Sequence, residues 1–148
     1  MDQYPIAMML MGYTIENIFR GIIITKMGLD DPQSKLLNVT NFVELLVPFK
    51  DGTTKPLMMH GLRRLLDTKA LMNIRFDDPE KDMMDTLDMF IIWGGRYAAP
   101  KKSDPSDPFN LKLSEPIEYP YQVLDSIYQK SMEELIRVCM QQVDELSG

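Results

Sequence analysis

Two long stretches of this chain repeat their apolar residues at helical spacing, a third opens on a helix-start signal, and no stretch shows a convincing alternation of period two. In residues 4–26, Met8, Met11, Gly12, Ile15, Ile18, Phe19, Ile22 and Ile23 share one broad helical face. Pro5 suits a first turn, and Gly28 with Asp30-Asp31-Pro32 ends the pattern. Asp78-Pro79-Glu80 is a start signal of cap, proline and first-turn acid for a second helix, expected to reach Trp93 and stop at Gly94-Gly95. Pro120 opens a third that runs to about residue 146. Its stripe is Leu124, Ile127, Tyr128, Met132, Leu135, Ile136, Cys139, Val143 and Leu146.

Weaker signals lie between. Asn41 with Glu44 makes a capping-box pattern for a short helix over 41–47, which Pro48 would end. Asp51-Gly52 marks a turn. Residues 56–69 fit a further helix with Met58, Leu62, Leu65 and Leu66 inward. Residues 98–120 hold five of the ten prolines and read as a long irregular loop. The pattern predicts a single all-α domain over 1–148: an antiparallel bundle of four to five helices with a proline-rich loop before the last.

Composition narrows the function. The purely apolar runs, such as 6–11 and 22–24, are far shorter than the roughly 20 residues of a membrane span. No basic segment precedes an apolar stretch, so a cytoplasmic protein without membrane contact is expected. One cysteine and one histidine leave no internal disulfide and no multi-thiolate or two-histidine metal site. No glycine-rich phosphate loop occurs, and no cofactor is expected. The net charge is −6, but it is unevenly spread. Residues 50–75 carry six cations against two acids, whereas 76–90 carry six acids against Lys81 alone. Arg96, Lys101 and Lys102 follow with no acid in 91–103. Thirteen methionines suit irregular core gaps and adaptable contacts. Together with the long first and last helices they favour a homodimer.

The polar residues admit two accounts each. Glu16 and Arg20 are spaced four apart at the edge of an apolar face: a structural ion pair, or part of a site. His60, Arg63, Arg64 and Asp67 share one side of the expected 56–69 helix: a solvated polar face, or a cluster in which imidazole moves a proton while guanidinium holds phosphate oxygens. Arg96 and Tyr97 either close a helix or recognise a phosphate or base. Asp82, Asp85 and Asp88, at three-residue steps, read as a solvated face rather than a metal site.

In order along the chain, three segments resemble one family. Gly12-Tyr13-Thr14-Ile15-Glu16-Asn17-Ile18-Phe19-Arg20-Gly21 resembles the first helix of the HEPN superfamily (higher eukaryotes and prokaryotes nucleotide-binding domains). His60-Gly61-Leu62-Arg63-Arg64-Leu65 resembles its His-x-Leu-x-x-Leu stretch, and Trp93-Gly94-Gly95-Arg96-Tyr97 is similar to the Trp-x-x-Arg-Tyr-Pro segment of uncharacterised bacterial members. The resemblance implies a small helical homodimer that binds nucleotide, RNA or a partner such as a nucleotidyltransferase or antitoxin, in toxin–antitoxin or phage-defence systems. Nuclease members carry an Arg-x(4–6)-His pair. Here Thr53, Thr54 and Lys55 stand in the window before His60, and Lys101, Lys102 and Ser103 in the window after Arg96. A non-catalytic binding module with Glu16, Arg20, Arg63, Arg64, Arg96 and Tyr97 in its site is therefore expected. The alternatives are a metal-independent RNase in which His60 is catalytic beside nearby arginines, and a purely structural helical dimer.

Overall fold

The computed structural model describes residues 4–30, 45–57, 60–96 and 120–147. The chain is mostly helical. The order is α1 (Tyr4–Asp30), β1 (Leu46–Pro48), β2 (Thr54–Pro56), α2 (Leu62–Leu66), a 3-10 turn (Lys69–Leu71), α3 (Asp78–Arg96) and α4 (Pro120–Ser147).

The three long helical stretches become α1, α3 and α4. Each runs slightly past its expected end: Gly28 does not stop α1, and α3 passes through Gly94-Gly95 to Arg96. The face of α1 forms the centre of the core, with Ile15, Phe19, Ile22 and Ile23 buried against Leu62, Leu65, Met83, Met84, Leu87, Ile91 and Ile127. Helix α3 comes close to α1 at Gly12, where even a Cβ would lie 2.7 Å from Ile91 Cγ1. Helix α4 meets α1 at Gly21, beside Leu135.

The start of α3 lies one residue earlier than its sequence signal. Asp77 is the cap: its carboxylate accepts the Glu80 amide at 2.8 Å, while Glu80 accepts the Asp77 amide at 3.0 Å. Glu80 is buried and also takes a hydrogen bond from Ser126 at 2.9 Å and an ion pair from Lys130, which fastens α3 to α4.

Three expectations need correction. The end of the 41–47 helix is instead strand β1, paired antiparallel with β2 through Leu46 with Pro56, Val47 with Lys55 and Pro48 with Thr54; residues 41–44 lie outside the described residues. The 56–69 helix shrinks to α2 and the 3-10 turn, because Pro56 ends a strand and Gly61 has φ +126°, which breaks any helix. Finally, Ile6–Gly28 is long and apolar enough to cross a membrane by length and hydropathy, since an averaged window tolerates the charges at Glu16, Arg20 and Lys26 that interrupt its apolar runs. Here its apolar face is used in the core. The proline-rich 98–120 loop lies, up to residue 119, outside the described residues.

Candidate functional site

Glu16 sits mid-way along α1, facing the core, and is buried. A buried carboxylate requires partners, and three converge on it. Arg20, one turn on, approaches Oε1 with Nη2 at 2.8 Å. His60 Nδ1 lies 3.3 Å from the same oxygen, and the Gly61 amide points at Oε2 from 3.5 Å. The acid-to-base spacing in α1 thus does form an ion pair, and Glu16 is more deeply buried than its place at the edge of the face suggested.

Asp88 of α3 grips the next two residues. Its oxygens accept the amides of Leu62 at 2.6 Å and Arg63 at 3.2 Å, the unpaired donors at the start of α2. The sequence placed Asp88 outward with Asp82 and Asp85. Those two are exposed, but Asp88 is turned inward, since the α3 surface at that point is covered by the 60–63 turn. Burial pushes the Asp88 carboxyl up from its ordinary value; the two amide bonds oppose this, and the Asp85 and Glu16 carboxylates add to it. Residues 60–63 are therefore held between two carboxylates from different helices. Gly61 makes the turn: its φ lies where L side chains are strained.

Beyond this turn lies an open groove of about 680 Å³. Five cations line it: Lys50, Arg63, Arg64, Arg75 and Lys81, against the single acid Asp67. Leu66, Leu71, Ile74 and Phe76 supply apolar lining. Arg63 is shared with Asp85 at 3.1 Å. Among the described residues, none of the other four cations has a carboxylate within 4.0 Å. Lys50 reaches the groove because the β1–β2 turn docks on the Asp67–Thr68 segment that follows α2. Phe49 is buried and bridges Thr68, and the Lys50 amide donates to the Asp67 carbonyl at 2.8 Å. The turn itself is tied by Asp51, which accepts the amide and hydroxyl of Thr53 at 2.9 and 2.6 Å; those bonds lower its carboxyl below the ordinary value.

The expected site residues thus divide. Glu16, Arg20 and His60 come together at the α1 staple, while Arg63 and Arg64 belong to the groove. Arg63, Arg64 and Asp67 share the groove, but His60 precedes α2 and is not among the lining residues, so it does not join them as expected. Arg96 closes α3; its side chain and Tyr97 lie outside the described residues. Among the described residues, no three His, Cys, Asp or Glu side chains gather as metal ligands. The sequence reading missed Lys50, Arg75 and Lys81 as site residues. The first two were visible in the cation excess of 50–75, but Lys81 was masked by the acids around it.

Compared with known protein families, curated proteins and solved structures, the chain matches none.

Proposed function

We propose that this protein is a non-catalytic helical module of HEPN-like kind that binds RNA through the Lys50–Arg64–Arg75–Lys81 groove. In this reading the helices form an antiparallel bundle, and the protein is cytoplasmic and also pairs as a homodimer. A nucleotidyltransferase or antitoxin is the kind of partner the resemblance implies. The observation that carries it is the convergence in one groove of four cations that have no carboxylate partner among the described residues, in a chain whose net charge is −6. Guanidinium and ammonium groups grouped in this way suit phosphate oxygens, and the neighbouring apolar surface suits sugar or base.

Two facts support a non-catalytic role. The only imidazole contacts the Glu16 staple rather than lining the groove, and Glu16 is occupied in holding the 60–61 turn. The RNase alternative has one observation in its favour: a carboxylate on Nδ1 orients His60 as a proton-transfer group would need.

The test is binding of single-stranded RNA followed by anisotropy as salt rises. Each phosphate neutralised contributes about −0.7 to the log–log slope for a single strand. Four groove cations give about −2.8, or a loss of roughly 50-fold in affinity between about 50 and 200 mM salt. Arg64→Ala with Arg75→Ala should halve the slope. A flat salt dependence overturns the RNA reading, and chelator-resistant cleavage abolished by His60→Ala overturns the non-catalytic one.

A further inference from the structure

Helix α4 uses Leu124, Ile127, Ser131 and Val138 in its own core. Its last three turns carry a second apolar stripe on another face. Ile136, Met140 and Val143 are each more than half exposed, and Leu146 is 83% exposed. Exposed large apolar side chains in a contiguous stripe mark an interaction surface. Asp144 and Glu145 flank it, each about 100° round the helix from Val143 and Leu146 respectively. Arg137, the one cation in this stretch, is already held by Glu134 at 2.7 and 3.0 Å. The end of α4 is therefore apolar with acidic margins, and the groove has apolar lining with basic margins.

We propose that the C-terminal end of α4, with Val143 and Leu146 between Asp144 and Glu145, docks in the basic groove of a second copy of this chain. It cannot reach its own groove. Lys130 lies over the ring of Phe76, a groove residue, at 5.7 Å, which fixes the groove at the level of residue 130 on α4. The tail lies 13 to 16 residues further along the same helix, about 20 Å away at 1.5 Å per residue. Pairing of two α4 stripes with each other is disfavoured, because it brings Glu133, Asp144 and Glu145 of both copies together with only the occupied Arg137 to offset them. Tail in groove joins opposite charges, and reciprocal exchange closes a two-fold dimer. Such a dimer occupies the groove that RNA would use, so the two compete. The competition rests on the RNA reading above; the docking does not.

A charge-swap experiment tests it, read by sedimentation mass at tens of micromolar. The wild type should run at twice 17.1 kDa. A groove variant (Arg64→Glu, Arg75→Glu) places acid against acid, and a tail variant (Asp144→Lys, Glu145→Lys) places base against base. All four positions are exposed, and circular dichroism checks that each variant stays folded. Each alone should be monomeric, since juxtaposed like charges weaken association by about tenfold or more. Their equimolar mixture should recover dimers, because both contacts in the mixed pair are again complementary. A monomeric wild type, a variant that still pairs, or a mixture that stays monomeric overturns the docking. RNA affinity is read in parallel. Loss of RNA binding from wild type and tail variant alike, with the mass pattern intact, sinks the RNA reading and leaves the docking standing.

Discussion

Substituting Glu16 by alanine separates a structural staple from a surface ion pair. The Glu16 side chain is 3% exposed and that of Arg20 18%, so removal takes a buried carboxylate away from the guanidinium and from the 60–61 turn together. Breaking a buried pair from one side costs about 3–5 kcal/mol, whereas an exposed pair is worth about 0–1 kcal/mol. In a chain of this length each kcal/mol shifts Tm by about 2–4 °C, so Glu16→Ala should melt roughly 6–20 °C lower. His60→Ala is the internal control. It removes a contact to the same oxygen, but its side chain is 59% exposed, and the cost should stay under about 1 kcal/mol. The double variant of Glu16 and Arg20 should cost much less than the sum of the singles, since both act through one interaction. Thermal melts followed by circular dichroism decide the matter. A Glu16→Ala melt within a degree or two of wild type, or a His60→Ala loss as large as that of Glu16→Ala, refutes the reasoning.

Gly61→Ala should cost about 1–3 kcal/mol through backbone strain alone, because a Cβ there would find its nearest neighbours at 3.7 and 3.8 Å; an unchanged urea midpoint would show that the turn relaxes freely. In acid, two carboxylates pull in opposite directions. Hydrogen bonds from Arg137 and Lys26 hold Glu134 below 4.5 against a burial effect that raises it, so its stabilisation is present above that value and lost as pH falls through the folded pKa. Burial raises Asp88 above 3.8, so its contribution is present at low pH and lost as pH rises through its folded pKa. Glu134→Gln should therefore lower stability at neutral pH and flatten its fall below about pH 4.5, as read from denaturant midpoints across pH.

Long periodic stripes were legible because a face of many turns can satisfy only one geometry. Helices α1 and α4 follow directly from the apolar spacing at Ile15–Ile18–Phe19–Ile22 and Leu124–Ile127, and α3 from its Asp78-Pro79-Glu80 start signal. The hairpin was not legible, since Leu46–Pro48 and Thr54–Pro56 are three residues each and both include proline, which reads as a breaker. The ion pair of Glu16 with Arg20 is local and could be foreseen. The contacts of Glu16 with His60 and of Asp88 with Leu62 join residues 44 and 26 positions apart, and helical spacing says nothing about such pairs. The same applies to the groove, whose cations come from the hairpin turn, α2, the segment before α3 and α3 itself.

The Glu16–Arg20 pair bears on biosynthesis as well as on packing. Helix α1 ends at residue 30 and its partner α4 begins at residue 120, so about 90 residues must be translated between them. At about 5–20 residues per second, the newly made first helix waits roughly 5–20 s before α4 can cover it. Until α3, which packs on it at Gly12, has been made, it is an unshielded segment whose hydropathy satisfies the requirement for a bilayer span. An arginine near the middle of such a segment costs about 2.5–3.5 kcal/mol for insertion by the translocon. The arginine that later pairs with the carboxylate holding the 60–61 turn thus biases the nascent helix away from the lipid phase before any tertiary contact exists.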